Sequence, residues 1–105
     1  MAYSVEVTRQ AFDEIDDLFS HIAASSPANA VRWRDKLLKK IEALSAHPLL
    51  HGLAPEAQAV GVDVRQKLFG NYRVLYTVGE TTVTVHGVRH TARKPLRADE
   101  LPGLE

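Results

Sequence analysis

Arg65 and Lys67 alternate along one stretch of the chain, Arg73 follows soon after, and Arg89, His90, Arg93, Lys94 and Arg97 close the series. Residues 64–97 carry seven arginines and lysines against one acid, Glu80, a local charge of +6. The rest of the chain has 12 acids and 6 bases and is −6, so a formal net charge of zero hides the asymmetry. Such a segment is built to meet something anionic. His90 adds a group whose ordinary pKa of about 6.5 suits proton transfer, a property of any histidine.

Other chemistries lack their residues. There is no cysteine, which removes disulfide scaffolds, thiolate zinc sites, iron–sulfur clusters and cysteine nucleophiles together. No glycine-rich phosphate loop or serine elbow supports nucleotide hydrolysis or esterase chemistry. Asp13, Glu14, Asp16 and Asp17 read as a solvated helix face matched to the helix dipole. His86 and His90 lie about 13 Å apart if they share a strand. Pro48 breaks the helix that the His47–His51 spacing needs. No metal and no cofactor is expected.

These side chains need a frame. The chain has 105 residues, 45% apolar and 25% charged, which suits one soluble domain with a modest core. Tyr3–Thr8 alternates and is rich in β-branched types, so it reads as a short strand. Ala11, Phe12, Ile15, Leu18, Phe19 and Ile22 then mark one face of a helix over residues 9–24, capped by Thr8. Ser26 and Pro27 restart a second helix that runs to about Ala46. Its stripe is Ala30, Trp33, Leu37, Ile41 and Leu44, widened by Val31 and Leu38. Residues 48–61 form a long loop that either has a role or hides a short helical turn.

From residue 62 the period becomes two. Val62–Phe69, Tyr72–Val78 and Thr82–His90 read as strands joined by Gly70-Asn71 and Gly79-Glu80 turns. Residues 91–105, with Pro95, Pro102 and Gly103, read as a polar arm. The fold class is therefore α+β: an N-terminal strand, a helical hairpin, then a three-strand antiparallel meander, with the helices on one sheet face and the other face open. The N-terminus has neither a basic n-region nor a long apolar h-region, and no apolar run is long enough to span a membrane. A cytoplasmic protein without membrane contact is expected.

In this order, several pieces resemble the RelE/ParE superfamily of bacterial toxins from type II toxin–antitoxin modules. They are Tyr-Ser-Val-Glu-Val-Thr at residues 3–8, the helix from Ala11 to Ile22, and Ser26-Pro27-Ala28-Asn29-Ala30. Leu44, His47-Pro48 and Gly52 follow, then Val64-Arg65-Gln66-Lys67-Leu68, Gly70-Asn71-Tyr72-Arg73-Val74-Leu75-Tyr76, and Val83–Arg93. The resemblance implies a toxin domain over residues 1–93 with a tail over 94–105. It also implies growth inhibition, and neutralisation by an antitoxin that wraps around the chain. One branch of the superfamily cleaves mRNA in the ribosomal A site, and the other poisons DNA gyrase. A toxin fold that only binds its antitoxin is a third possibility, since fold does not fix function.

RNA cleavage through a ribose 2′-OH needs a proton acceptor, a proton donor and cations for the charge developing on phosphate. By resemblance Arg73, Arg65 and His90 are the catalytic candidates, for a metal-independent endoribonuclease. Lys67, Arg89, Arg93 and Lys94 are candidates for binding nucleic acid or the antitoxin. Each also has a plainer reading as an outward-facing residue of a strand or tail. A strict two-residue Gly70-Asn71 turn pairs Leu68 with Arg73 and sets Arg65 and Lys67 on the opposite face, whereas a bulged three-residue turn gathers all three. The tail also lacks the tyrosine that many nuclease members carry there. The expected partners are an antitoxin with an amphipathic helix and acidic residues, and either ribosome and mRNA or DNA gyrase. DNA is met only through the antitoxin.

Overall fold

Thr8 and Ser26 start the two long helices, and both act through their side-chain oxygens. The Thr8 hydroxyl accepts the Ala11 amide and opens α1, Arg9–Ser25. The Ser26 hydroxyl accepts the Asn29 amide and opens α2, Pro27–Glu42, with Pro27 in its first turn. Before them β1 spans Ser4–Val7; after them come α3, Glu56–Val60, and the strands β2, Arg65–Phe69, β3, Tyr72–Val78, and β4, Thr82–His90. Single 3-10 turns lie at Ala43–Ser45, Pro48–Leu50 and Ala98–Glu100. The computed structural model describes residues 2–101, 103 and 104. Pro102, read above as part of the C-terminal arm, lies outside them. No described helix is long and apolar enough to cross a membrane.

The four strands lie in the order β1-β4-β3-β2, with β1 parallel to β4 and the meander antiparallel, as an α+β reading requires. Ala11 and Ile15 of α1, Leu37 and Ile41 of α2, and Leu44 bury one sheet face, packing on Val74, Tyr76, Val83, Val85 and Val88. The expected apolar stripes are too wide. Phe12, Val31 and Leu38 stand exposed, because each residue turns about 100° round a helix and these lie off the line that meets the sheet.

A bulge opposite Leu75 and Tyr76 interrupts the β3–β4 ladder, where Tyr76 faces Val85, Leu75 faces Gly87, and His86 has no partner. Glu14 reaches from α1 into this bulge, and its carboxylate accepts the Val88 amide at 3.0 Å. Glu14 is thus not part of a solvated helix face. A Cβ on Gly87 would lie 2.9 Å from Glu14 Oε1, which explains the glycine.

The second sheet face is not open. The loop from 48 to 61 contains α3, and α3 lies over that face together with the C-terminal segment. Ala54, Val64, Leu75, Leu96 and Leu101 form a second buried cluster there. Residues 95–101 act as a strap rather than a free arm: Leu96 and Leu101 are buried, and Gln10 Nε2 donates to the Glu100 carbonyl at 2.9 Å.

Candidate functional site

Gly70 takes φ +56°, which lets Gly70-Asn71 close β2 and β3 with two residues, so Phe69 faces Tyr72 and Leu68 faces Arg73. This register decides where the basic residues point. Arg73 shares a face with Gln66 and Leu68, and Arg65 and Lys67 share the opposite face with Val74 and Tyr76.

Arg73 lies under the strap and is only 7% exposed. Its guanidinium donates to both carboxylate oxygens of Glu56, at 2.9 and 2.8 Å, and to Gln66 Oε1 at 2.9 Å. Glu56, fully buried at the start of α3, also accepts the Leu96 amide at 2.9 Å. Burial pushes the Glu56 carboxyl up, but the Arg73 hydrogen bonds, the backbone amides and the Arg73 charge together hold it below the usual carboxylate range. The expectation of Arg73 as an open-face cation therefore fails. Its donors are directed at a carboxylate and an amide inside the molecule, and one bidentate pair joins β3, α3 and the strap.

Arg65 donates to the His51 carbonyl at 2.7 Å and is half-buried. Lys67 stands on the same face near Lys40 of α2; burial, and then the Lys40 charge, push its ammonium down. Burial, and then Lys67, likewise push the His51 imidazole down. Arg89 lies across from Arg73 in the ladder and donates to the Lys94 carbonyl at 2.7 Å. Arg93 and Lys94 are exposed beyond β4. His90 lies across from Tyr72, its ring 5.2 Å away and edge-on, while Tyr72 meets Trp33 at 5.4 Å. The Ala92 amide donates to His90 Nδ1 at 3.0 Å.

The three catalytic candidates do not converge. Arg73 is buried on one face. Arg65 and His90 stand on the other, opposite Tyr76 and Tyr72, four positions and so about 13 Å apart along β3. The strict two-residue turn sets Gln66 beside Arg73, as found, but sequence reasoning missed Glu56. The usable signal was Pro55-Glu56 at the head of a short helix that ends at Gly61, whose φ is +76°. Among the described residues, no three His, Asp or Glu gather to hold a metal ion.

A family model of the ParE toxin of type II toxin–antitoxin systems, parDE, matches residues 5–95. The chain belongs to this family. Comparison with curated proteins finds no match. Among solved structures, this ParE-family chain is similar to the chromosomal ParDE toxin–antitoxin system of P. aeruginosa. The TM-score is 0.70 at 14% identity, over 85% of this chain and 96% of that one. It is similar also to a mutant E. coli toxin RelE in the free state, with TM-score 0.61 and 21% identity over 88% and 86% of the two chains. The RelBE2 toxin–antitoxin complex of Mycobacterium tuberculosis gives 0.54 and 26% over 86% and 99%. The strand, helical hairpin and meander thus belong to a RelE/ParE-like toxin fold.

Proposed function

We propose that this chain is the toxin of a type II toxin–antitoxin module and arrests growth by binding DNA gyrase rather than by cutting mRNA. The supporting observation is the Arg73–Glu56 pair. Metal-free RNA cleavage needs an acid, a base and a cation within hydrogen-bond reach of one phosphodiester. Here the arginine matched to the nuclease branch is buried against a carboxylate, and Arg65 and His90 lie on the other face. The match to the ParE model over residues 5–95 favours the same branch. Binding without chemistry asks only for a complementary surface, and Arg89, Arg93 and Lys94 keep cations at one end of β4 for it.

The partner that neutralises it is an antitoxin with an amphipathic helix and acidic residues. The solved ParDE and RelBE2 structures are toxin–antitoxin systems, which supports that assignment. DNA is reached through the antitoxin, and the working compartment is the cytoplasm, where gyrase acts. The test is induction of the chain alone in bacteria with thymidine and amino-acid incorporation followed together, alongside purified chain added to gyrase supercoiling. Early loss of thymidine incorporation and inhibited supercoiling support the proposal. Early loss of amino-acid incorporation with cuts in ribosome-bound mRNA refutes it and returns Arg65, His90 and Arg73 to a catalytic role.

A further inference from the structure

Within the long segment 48–61, residues 52–54 lie along the outer edge of the sheet before α3 turns over its face. β2 is the edge strand, and this segment covers only its first half: the Gln66 amide donates to the Gly52 carbonyl at 3.1 Å, and the Ala54 amide to the Val64 carbonyl at 2.7 Å. In a two-residue hairpin Arg65, Lys67 and Phe69 exchange hydrogen bonds with β3, so the Leu68 backbone points outward. Among the described residues nothing pairs with it. An edge of this kind is a template for another strand.

The same edge carries an apolar patch. Leu50, Leu53 and Leu68 are 77%, 53% and 62% exposed and line one recess of about 410 Å³ with His51 and Lys67. Three large leucines gathered at one recess mark an interaction site rather than scattered surface residues. The rim is cationic. Among the described residues neither Arg65, Lys67 nor Lys40 makes an ion pair, and Asp63, the acid nearest to β2 in the chain, pairs with none of them.

We infer that the β2 edge and its leucine recess receive an extended segment of the antitoxin. This segment pairs with Leu68 as an added strand and carries apolar side chains flanked by carboxylates. The open edge sets the extended conformation, the leucines set the apolar anchors, and Lys67 and Arg65 set the acidic flanks. A second copy of this chain fits less well, because β2 paired with another β2 brings Arg65 and Lys67 of both copies together. The inference rests on the proposed function in needing an antitoxin.

The test uses the chain and the antitoxin of its own module, co-expressed, purified and separated, with affinity measured by calorimetry. Leu53→Glu and Leu68→Glu each weaken the complex by about tenfold or more. Lys67→Glu weakens it and flattens its salt dependence. Leu53 and Leu68 are exposed, so melting curves of those two free variants match the wild type, and half-buried Lys67 is compared through Lys67→Gln as well, which removes the charge without adding a carboxylate. Hydrogen exchange shows the Leu68 amide gaining protection only in the complex. If the antitoxin binds all three variants as tightly as wild type and the Leu68 amide still exchanges freely, this inference is overturned and the proposed function stands. Protection of Leu68 in the free chain that rises with its concentration assigns the edge to a second copy and also overturns it. A wild-type chain that binds no antitoxin from its module overturns the function itself.

Discussion

Glu56→Ala removes one partner of a buried, bidentate ion pair. It leaves the Arg73 guanidinium, 7% exposed, with Gln66 alone, and it leaves the Leu96 amide without its acceptor. Breaking such a pair from one side costs about 3–5 kcal/mol, because the remaining charge is desolvated and unmatched. A domain of this size has about 5–15 kcal/mol in all, so the variant sits near the edge of folding. At roughly 4–8 °C per kcal/mol the melting temperature falls by more than about 12 °C. Urea titration followed by circular dichroism should show the midpoint falling with the slope unchanged. The double variant Glu56→Leu with Arg73→Met removes both charges and should recover at least half of the loss. A single variant within about 1 kcal/mol of wild type would refute the idea that this pair joins α3, β3 and the strap. The folded double variant also tests function: it should still arrest growth, whereas a catalytic Arg73 would abolish toxicity.

Glu56 also sets an acid limit. Its folded pKa lies below its ordinary value of 4.5, so its contribution is full above that pH and is lost as pH falls through the depressed value; the double variant should show a shallower acid transition by circular dichroism. Burial holds the His86 imidazole below its ordinary 6.5, so folding favours the neutral ring and stability drops as pH falls below that value; His86→Gln should flatten the melting temperature across that window. Gly87→Ala pushes Glu14 off the Val88 amide and should cost about 1 kcal/mol in urea titration, a loss that Glu14→Ala in the same chain makes smaller. Thr8→Ala leaves the Ala11 amide uncapped and should cost about 1 kcal/mol by the same assay.

The long helices and the meander were legible because their signals are local. Thr8 and Ser26 are good caps, and the period changes from about four to two at residue 62. The hairpin register was legible as a choice between two parities, and the two-residue Gly70-Asn71 turn settles it. What covers the second face was not legible. Leu96 and Leu101 are isolated leucines in a polar stretch with no period, and Glu56 finds its partner seventeen positions along the chain. Arg73 depends on that same face: on an open face it is free to meet a phosphate, and under α3 and the strap it meets Glu56 instead. Leu50 and Leu53 carried their signal only as exposed apolar residues in a loop, and their meaning depends on the edge of β2 beside them.

Among the described residues β1 pairs with β4 alone, so that Ser4 lies beside Thr82 and the first strand made has as its neighbour the last. On the ribosome β1 emerges early and waits through both helices and two further strands. Until β4 arrives, the apolar sides of α1 and α2 lack the Val83, Val85 and Val88 surface that buries them. Closing so distant a pair comes late, after the loop entropy between its ends has been paid. Chains that stop short of β4 therefore have only the β2–β3 hairpin as sheet, leave β1 unpaired, and offer the helices Val74 and Tyr76 without the larger β4 part of their seat. The fold, and with it any activity that depends on the fold, thus waits on the last strand to be made.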